Sequence, residues 1–397
     1  MKTKLSLFIL FFSVAELISA SSINIKVTNP NKAAIKDAPV LIALSKYKSI
    51  SEKNRADLAV LVNGKQISSQ LDDINKDGIA DELVFLIDLK AGQTQKVILK
   101  NIPVSQRDSF PTEVYADLIS KPKGGEAKFV QEMSSTKNDM YNQMHHHGVA
   151  FESALIGYRI YFDNKSTVDL YGKKKQQLEL ATTGWYPTDE QAAAGYGDDA
   201  LRVFDLVGVG TVKGWNGTKA THIDKFDKRT QRIVATGKLR TVVESDVEGW
   251  QYEGKKINMT VRYILYARHR DAICEVRASE DIENLATGVQ GIKAGPTMTD
   301  NKGLVGSWGT DYPVTDTVKY EMQTVGLGVF VPVPYAKKQV VQGLNNLVLM
   351  PYKKGETLRF YLTAAARKEE KDTFTSADQF FTYLKSWIAE LQPIIVK

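Results

Sequence analysis

The sequence predicts an all-β protein with two sandwich units and one closing helix. Short segments in which apolar and polar residues alternate recur along the chain, and turns rich in Gly, Pro, Asn and Asp separate them. Only one stretch, near the C-terminus, repeats its apolar residues at helical spacing. The length of 397 residues exceeds the ~100–200 residues of a typical domain. We therefore expect two domains joined by a linker.

The first residues have the pattern of a secretory signal peptide. Lys2 and Lys4 precede an apolar run that ends in small residues at Ala20. We expect cleavage after Ala20, which removes residues 1–20 and makes the protein periplasmic or secreted. No stretch reaches the ~20 apolar residues of a membrane span. Cys274 is the only cysteine, so stability must come from core burial rather than from an intrachain disulfide.

The formal charge is mildly positive, +6 at pH 7. Lysine and arginine residues are spread along the chain, whereas a nucleic-acid partner would need a denser basic stripe. We therefore expect no nucleic-acid partner. The charge suits an acidic glycan, and it suits an ordinary protein surface equally well.

Residues 22–104 are expected to form a small immunoglobulin-like β-sandwich, because six strand-like segments follow one another between turns. Residues 105–144 are polar and contain Pro and Gly, which predicts a linker that leads into the second domain. The six segments are SINIKVTNP, APVLIALSK, ADLAVLVNG, KQISSQL, DELVFLIDL and TQKVILKNI.

An acidic turn in the first domain matches the first half of a calcium loop. Oxygen-bearing side chains at positions 1, 3 and 5, followed by Gly78 at position 6, can converge on a hard cation. Val84 stands where a bidentate Glu would complete the loop, so a plain Asx-rich turn is an equal alternative. A bound Ca²⁺ would be structural. Its ligands would be Asp73, Asn75, Asp77 and Asp81.

Residues 145–397 are expected to form the second and larger domain. The long, β-branched segments 232–245 and 258–279 are typical of wide, curved sheets. Residues 344–352 and 358–366 predict two later strands.

A single helix is predicted after these strands. Ser376 and Gln379 resemble a capping box, and Pro393 ends the run. The apolar stripe is expected to pack on the sandwich. It comprises Phe380, Leu384, Trp387, Ile388 and Leu391.

Residues 145–171 concentrate titratable groups beside a predicted hairpin. Strands do not need so many such groups to fold, whereas a site for a polyhydroxylated, anionic ligand does. Each residue has a structural alternative, since a strand tyrosine is usually a core residue and an arginine is usually an ion-pair partner. The candidate catalytic residues are His146, His147, Glu152, Tyr158, Arg159 and Asp169.

We expect residues 158–162 and 167–171 to pair as that hairpin. In this register Tyr158 and Asp169 share one side of the sheet and Arg159 lies on the other. A register shift of one residue would reverse the grouping.

The three consecutive histidines do not form a three-ligand metal site in an extended segment, because neighbouring side chains point to opposite faces. A two-histidine site would need a third ligand such as Glu152 or His222.

Residues 184–205 form a second candidate region, a loop that offers aromatic rings and carboxylates together. Aromatic faces can stack on the C–H surfaces of sugar rings while carboxylates accept sugar hydroxyls, although a loop packed by its own aromatics is the alternative. With one residue from the hairpin, the candidate substrate-binding residues are Tyr171, Trp185, Tyr186, Tyr196 and Asp198.

Several motifs in order, HHGVAFES, GYRIYFD, VDLYGK, GWYPTDEQ and GYGDDAL, resemble a secreted Bacteroidetes family of unknown function. The resemblance covers most of the chain after the signal peptide. It implies a galactose mutarotase-like supersandwich in the second domain and a link to polysaccharide utilisation, often of glycans that contain uronic acids. It supplies no catalytic residues.

The residues fit an oligosaccharide-active protein, and lyase-type β-elimination from a uronic acid is narrowly favoured. That reaction needs a base, an acid and a group that neutralises the carboxylate, and Tyr, His and Arg side chains can supply them. Mutarotation or epimerisation would use a histidine with Glu152. A hydrolase would need two carboxylates, for which Asp169, Asp198 and Glu152 are available. A non-catalytic glycan-binding protein would need only the aromatic loop.

Overall fold

The computed structural model describes residues 22–48, 50–371 and 373–397. In these ranges strands dominate and the longest helix lies near the C-terminus, which confirms the predicted all-β fold class and its closing helix. None of the helices in the described ranges is long and apolar enough to cross a membrane. The predicted signal peptide, residues 1–20, lies outside the described residues.

Seven strands build the first sandwich. In chain order they are β1 (Ser22–Thr28), β2 (Ile35–Ala43), β3 (Leu58–Val62), β4 (Lys65–Ile67), β5 (Ser69–Asp72), β6 (Glu82–Leu89) and β7 (Thr94–Asn101), with helix α1 (Glu52–Arg55) before β3. One sheet has the order β1–β7–β3–β4 and the other has the order β2–β6–β5. Alternate side chains such as Ile25, Val40, Phe85 and Leu99 are buried together in one apolar core.

The strands of the second unit begin inside the segment that was expected to be a linker. In chain order they are β8 (Val114–Asp117), β9 (Ile119–Ser120), β10 (Lys128–Phe129), β11 (Glu132–Ser135), β12 (Gly148–Ser153), β13 (Ile156–Tyr161), β14 (Val168–Gly172), β15 (Asp198–Asp199), β16 (Lys213–Trp215), β17 (Ala220–Thr221), β18 (Lys228–Thr236), β19 (Arg240–Tyr252), β20 (Lys255–Tyr266), β21 (Asp271–Ala278), β22 (Ile282–Gln290), β23 (Thr297–Thr299), β24 (Leu304–Asp311), β25 (Gln323–Phe330), β26 (Lys338–Gln342), β27 (Asn345–Tyr352) and β28 (Leu358–Ala366). A short helix, α2 (Asp189–Ala193), lies between β14 and β15.

These strands form two layers. One layer is a nine-stranded sheet of order β11–β18–β19–β20–β21–β28–β25–β24–β23. The other consists of two five-stranded sheets, β15–β14–β13–β12–β8 and β17–β16–β22–β27–β26. Apolar side chains from both layers share one large core, in which the ring centroids of Phe151 and Tyr263 are 6.2 Å apart. One face of each five-stranded sheet is therefore committed to the core.

Two predicted long strands fold back on themselves. Residues 232–245 divide into β18 and β19, which pair with each other, and residues 258–279 divide into the paired strands β20 and β21. The first turn contains Gly237, where an added Cβ would lie 2.6 Å from the Gln70 side chain. Alternation of apolar residues does not reveal such a turn, because the period of two continues on both sides of it.

Helix α3 (Ala377–Glu390) packs on β24 and β25. Ser376 Oγ accepts the Gln379 backbone N–H at 3.3 Å, while the Gln379 side chain accepts the backbone N–H of Thr375 rather than that of Ser376. The expected capping box is thus incomplete, because the hydrogen bond back from the Gln379 side chain goes to the residue before Ser376. Gly326 in β25 allows the close approach, since a Cβ there would lie 2.6 Å from the Phe380 ring. The fully buried helix residues are Phe380, Leu384 and Trp387.

The final strand, β29 (Ile395–Val396), returns to the first sandwich. It pairs antiparallel with β1, where Val27 lies opposite Val396. Lys26 N–H also donates to the carbonyl of Lys397 at 2.7 Å. The first sandwich is therefore built from both ends of the described chain.

The acidic turn before β6 is closed by its own side chains. Asp81 Oδ2 accepts the backbone N–H of Ile74 at 2.8 Å, and Asp73 Oδ2 accepts that of Gly78 at 2.8 Å. Asn75 Oδ1 also accepts the backbone N–H of Asp77, and Asp77 Oδ1 accepts that of Ile79, both at 2.9 Å, which are Asx turns. Across the described ranges, no group of three or more His, Cys, Asp or Glu side chains is arranged to hold a metal ion. Calcium binding by this turn stays a prediction.

A buried polar network joins the two units. Gln70 Oε1 accepts the backbone N–H groups of Leu239 at 2.7 Å and Arg240 at 3.0 Å. The Arg240 guanidinium, 2% exposed, donates to Asp72 Oδ2 at 2.7 Å and to Glu82. Since a buried charge is tolerated only when it is paired, this network fixes how the first sandwich sits on β19.

We predict that Arg240→Met lowers the free energy of unfolding by about 3–5 kcal/mol, because it leaves buried carboxylates without a counter-charge. The measurement is urea unfolding of the purified protein. Lys256→Met is the control, since Lys256 and Asp227 form an ion pair with 61% and 56% exposed side chains. The free energy of unfolding of Lys256→Met should fall by no more than about 1 kcal/mol. Equal losses in the two variants would contradict the buried network.

Candidate functional site

Polar side chains gather on the outer face of the sheet β15–β14–β13–β12–β8. The register places Asp117, Ala150, Arg159 and Asp169 opposite one another on four adjacent strands. Directly paired residues point to the same face, so the two aspartates and the arginine lie in one row. Tyr161 follows two positions after Arg159 and therefore shares that face.

The expected hairpin register is wrong by one residue. Arg159, not Ile160, pairs with Asp169. The turn is longer than expected because Asp163 Oδ1 accepts the backbone N–H groups of residues 165–166, both at 2.9 Å, and closes an Asx turn. This shift moves Arg159 and Asp169 onto the same face.

Tyr158 consequently points the other way. It is fully buried in the core between the layers, and its hydroxyl donates to the carbonyl of Arg270 at 2.6 Å. The structure places Tyr158 in the core rather than on the polar face, so the expected placement beside Asp169 is wrong.

Arg159 is the centre of the polar face and is 1% exposed. Its Nε donates to Asp169 Oδ2 at 2.9 Å, and its Nη2 lies 2.6 Å from the same oxygen and 3.1 Å from Asp199 Oδ2. Burial alone would lower the pKa of Arg159, but Tyr161, Asp169 and Asp199 raise it well above its ordinary value. Within the described residues, Nη1 has no hydrogen-bond partner. The Arg159 cluster is defined as Arg159, Tyr161, Asp169, Asp199 and Tyr186.

Asp199 is a carboxyl of the cluster with a raised pKa. Burial and the neighbouring charge of Asp169 raise the pKa of Asp199 to about 8. The Tyr186 hydroxyl donates to Asp199 Oδ2 at 2.8 Å, and the pKa of Tyr186 is raised by burial and by this carboxyl. At neutral pH the pair can therefore supply a proton.

Trp185 covers the cluster. The centre of the Arg159 guanidinium lies 4.3 Å from the Trp185 ring centroid, and the ring is fully buried. The backbone of Trp185 has φ 76°, a conformation that is strained for a bulky residue. Trp185 thus covers the Arg159 guanidinium and is not the exposed ring for sugar stacking that the sequence suggested.

The histidine run forms a tight turn at the edge of the cluster. His146 and His147 have φ values of 54° and 63°, so the alternation expected for an extended segment does not apply here. Gly148 follows because a Cβ at this position would lie 2.0 Å from the Ile160 carbonyl oxygen. The turn brings His146 toward Trp185, with ring centroids 5.8 Å apart.

His147 is held as a neutral imidazole. Its ring stacks on Tyr141 at a centroid distance of 3.5 Å, and its Nδ1 lies 2.9 Å from the Tyr141 carbonyl oxygen. A carbonyl only accepts, so Nδ1 carries the proton and Nε2 is left as the acceptor. Burial lowers the pKa of His147 to about 4. This half-buried side chain is the most suitable base near the cluster.

His146 and Asp117 form a buried pair on the other side of Trp185. His146 Nε2 lies 3.4 Å from Asp117 Oδ2, and both side chains are fully buried. Among the described residues, neither ring nitrogen and neither carboxylate oxygen has a hydrogen-bond partner of good geometry. Sequence analysis does not select Asp117, because the polar segment around it predicts a linker rather than strand β8.

Glu152 and Tyr171 anchor the loop above the cluster. The Glu152 carboxylate binds the Lys173 ammonium and accepts the backbone N–H groups of Glu179 and Leu180, both at 2.8 Å. The Tyr171 hydroxyl donates to Glu179 Oε2 at 2.7 Å. These contacts occupy both side chains and hold the loop in place, and the roles expected for Glu152 and Tyr171 stay predictions.

The remaining expected residues lie outside the cluster. Asp198 pairs with Lys368, and the Tyr196 hydroxyl lies 3.2 Å from Thr182 Oγ1. Asp199, the next residue, joins the cluster because successive side chains of a strand point to opposite faces. Its pairing with Tyr171 in β14 is the signal that would select it.

The two-histidine metal site finds no third ligand in the residues proposed for it. His222 Nδ1 lies 3.0 Å from Lys213 Nζ, and its Nε2 lies 3.5 Å from Asp205 Oδ1. Glu152 is bound to Lys173. Neither side chain turns toward the histidine run.

Comparisons with known proteins give a family match and a distant fold match. The sequence profile described as "Domain of unknown function (DUF4861)" matches residues 27–396. A glycosyl hydrolase family 38 protein from Enterococcus faecalis is 10% identical, with 95% of this chain and 47% of that chain covered and a TM-score of 0.48. An alpha-mannosidase from Enterococcus faecalis V583 is also 10% identical, with 95% and 46% covered and a TM-score of 0.45. The chain thus spans about half the length of these structures. No curated protein matches significantly.

We predict that Asp199→Asn flattens the pH dependence of stability. The folded-state pKa of Asp199 is raised to about 8, so between pH 4 and 8 the native protein holds a proton that the unfolded chain has released. Stability therefore falls as pH rises through this window, by up to about 1.4 kcal/mol per pH unit. Urea unfolding of wild type and variant from pH 5 to 8 measures the difference in slope. Identical slopes would show that Asp199 ionises normally.

Proposed function

The chain belongs to the DUF4861 family, whose description states no function, and we propose from the Arg159 cluster that it cleaves uronic-acid-containing oligosaccharides by β-elimination. The observation that carries the proposal is a buried arginine in contact with two carboxyl groups, together with a histidine whose Nδ1 is bound to a carbonyl, which leaves its Nε2 as an acceptor. Such an arrangement supplies an acid, a base and a cation in one place.

The base is His147. Its Nε2 is an acceptor because Nδ1 donates to the Tyr141 carbonyl. In β-elimination this nitrogen takes the proton from carbon 5 of the uronate, next to the carboxylate. A bound carboxylate would also raise the pKa of His147 toward neutrality, which strengthens it as a base.

The acid is Tyr186, supported by Asp199. The electron pair left at carbon 5 forms the double bond to carbon 4, and the bond from carbon 4 to the leaving oxygen breaks. Tyr186 turns its O–H from Asp199 Oδ2, to which it donates at rest, toward that oxygen and protonates it, and the Asp199 carboxyl then returns a proton to the Tyr186 phenolate. No water is consumed, so the mass of the products equals that of the substrate.

Arg159 neutralises the uronate carboxylate. Its Nη1 is the guanidinium nitrogen without a protein partner in the described part of the chain. The Trp185 ring covers this nitrogen, so the ring must move when substrate binds. Loops that close over a site commonly set access in this way.

The paired state of the carboxylates argues against hydrolysis. A hydrolase needs two carboxyl groups that flank the scissile bond. Asp169 and Asp199 instead contact the same nitrogen of Arg159, while Glu152 and Asp198 are bound to lysines. The pairing of Glu152 also removes the base that a mutarotase mechanism would use.

Export and calcium binding complete the proposal on sequence grounds alone. The predicted signal peptide in residues 1–20 supports a periplasmic or secreted location. The acidic turn of Asp73, Asn75, Asp77 and Asp81 supports a structural Ca²⁺ in the first domain.

The decisive experiment incubates the purified protein with uronic-acid oligosaccharides. We expect absorbance from a new unsaturated uronate and fragments whose total mass is unchanged. His147→Ala should lower kcat about 100- to 10,000-fold, as loss of a general base does, and Tyr186→Phe should lower it about 100-fold or more. Tyr47→Phe, in the first sandwich, is the matched control and should retain wild-type turnover.

Each other outcome has a defined meaning. Fragments heavier by one water would establish hydrolysis and refute the elimination. Faster anomer interconversion without a new product would establish a mutarotase. Binding without turnover would leave a glycan-binding protein.

We predict a bell-shaped pH profile of kcat/KM for the elimination. Activity should rise as His147 loses its proton near pH 4 and fall as Asp199 loses its proton near pH 8, given the pKa values of about 4 and about 8. Asp199→Asn should lower the maximum and abolish the alkaline fall. An unchanged alkaline limb in this variant would assign that limb to another group.

A further inference from the structure

A cavity lies next to the segment that follows Asp199. Its volume is about 310 Å³, and it is lined by residues from 200–206, from the end of β22 and from the facing ends of β24 and β25. Small-molecule sites start at ~300 Å³, so it can hold one sugar-sized group. It is called the Arg202 cavity.

Gln290, in one wall of the Arg202 cavity, has a side-chain acceptor without a partner. Gln290 is 4% exposed, and its Nε2 donates to the Arg202 carbonyl at 3.0 Å. Because that carbonyl can only accept, the amide orientation is fixed and Oε1 faces away from it. Among the described residues, Oε1 is buried without a hydrogen-bond partner. A buried acceptor of this kind needs a donor, and a sugar hydroxyl is one.

A second wall presents a loosely held cation. Arg202 Nη2 lies 3.4 Å from Asp311 Oδ2, Nη1 lies 3.3 Å from the Val314 carbonyl oxygen, and Nε has no partner in the described ranges. These contacts are at the long limit for hydrogen bonds. Lys293 is exposed and also lines the cavity. Two cations and one carboxylate give the wall a net positive charge.

An aromatic ring stands at the mouth. Phe204 is 53% exposed, and the Arg202 guanidinium centre lies 4.6 Å from its ring centroid. Its backbone has φ 41°, which is uncommon for a bulky residue. Strained backbone conformations cluster at ligand sites, and the exposed ring is available for stacking.

The Arg202 cavity and the Arg159 cluster share two segments of chain. Asp199 and Arg202 are three residues apart in the sequence. The segment between β24 and β25 supplies Val314 to the Arg202 side chain and Tyr320 to the Tyr186 ring, with ring centroids 5.6 Å apart. The two sites are therefore held in place by the same segments of chain.

We infer that the Arg202 cavity is a second saccharide subsite that binds an acidic sugar residue of the oligosaccharide whose cleavage is proposed above. The sugar ring stacks on Phe204, a hydroxyl donates to Gln290 Oε1, and the carboxylate or sulfate binds Arg202 and Lys293. This inference rests on the proposed function for the identity of the chain, but binding at the cavity does not need turnover.

The test is saturation-transfer NMR with sodium D-glucuronate, sodium D-galacturonate and neutral D-galactose. We expect the acidic sugars to give transfer and galactose to give little. Phe204→Ala and Arg202→Met should weaken acidic-sugar binding about tenfold, as loss of one good contact does. Phe129→Ala is the matched control, because Phe129 is 51% exposed on β10 and should leave binding unchanged. With an oligosaccharide substrate, Arg202→Met should raise KM at nearly constant kcat.

The outcomes separate the subsite from the reaction. Absence of acidic-sugar binding, or equal binding in Phe204→Ala and Phe129→Ala, would overturn the subsite. Binding lost in Tyr186→Phe but kept in Arg202→Met would assign the sugar to the Arg159 cluster and also overturn it. Binding lost in both cavity variants would support the subsite, even if no oligosaccharide yields an unsaturated product and the proposed reaction fails.

Discussion

The burial of Arg159 constrains the second unit more than any other interaction. A guanidinium that is 1% exposed is tolerated only when carboxylates lie within bonding distance. Asp169 supplies the negative charge from the adjacent strand, and the Asp199 carboxyl in β15 accepts a further hydrogen bond from the same guanidinium nitrogen. Only the observed register of β13 and β14 places Asp169 opposite Arg159. A shift of one residue would turn the Asp169 carboxylate into the apolar core, so the ion network specifies the pairing of the sheet.

The features that the sequence predicted correctly are those that depend on the local pattern of residues. Alternation of apolar residues identified the all-β class, and helical spacing from Phe380 to Leu391 identified the closing helix. The histidines, Arg159 and Asp169 were selected by type, but their mutual placement was not. That placement depends on the Asx turn made by Asp163, which lengthens the hairpin loop. Asp117 was missed because its strand pairs with residues more than thirty positions later.

The acidic residues of the second unit divide into anchors and cluster members. Glu152 and Glu179 bind backbone N–H groups, Lys173 or Tyr171, and so hold the loop that carries Trp185. Asp169 and Asp199 meet one guanidinium and remain beside titratable neighbours. The type of residue does not distinguish anchoring carboxylates from those of the cluster. Their position in the sheet does, because the residues paired with a carboxylate on the neighbouring strands decide which cation it contacts.

The pairing of β29 with β1 has a consequence for how the chain folds. Val27 and Val396 are joined across nearly the whole sequence, and contacts between such distant residues form late because closing a long loop costs conformational entropy. The sheet edge at β1 therefore stays open until β29 pairs with it. An open edge offers unpaired N–H and C=O groups to other chains. The incompletely folded chain therefore exposes an aggregation-prone surface, and β29 is the segment that closes it.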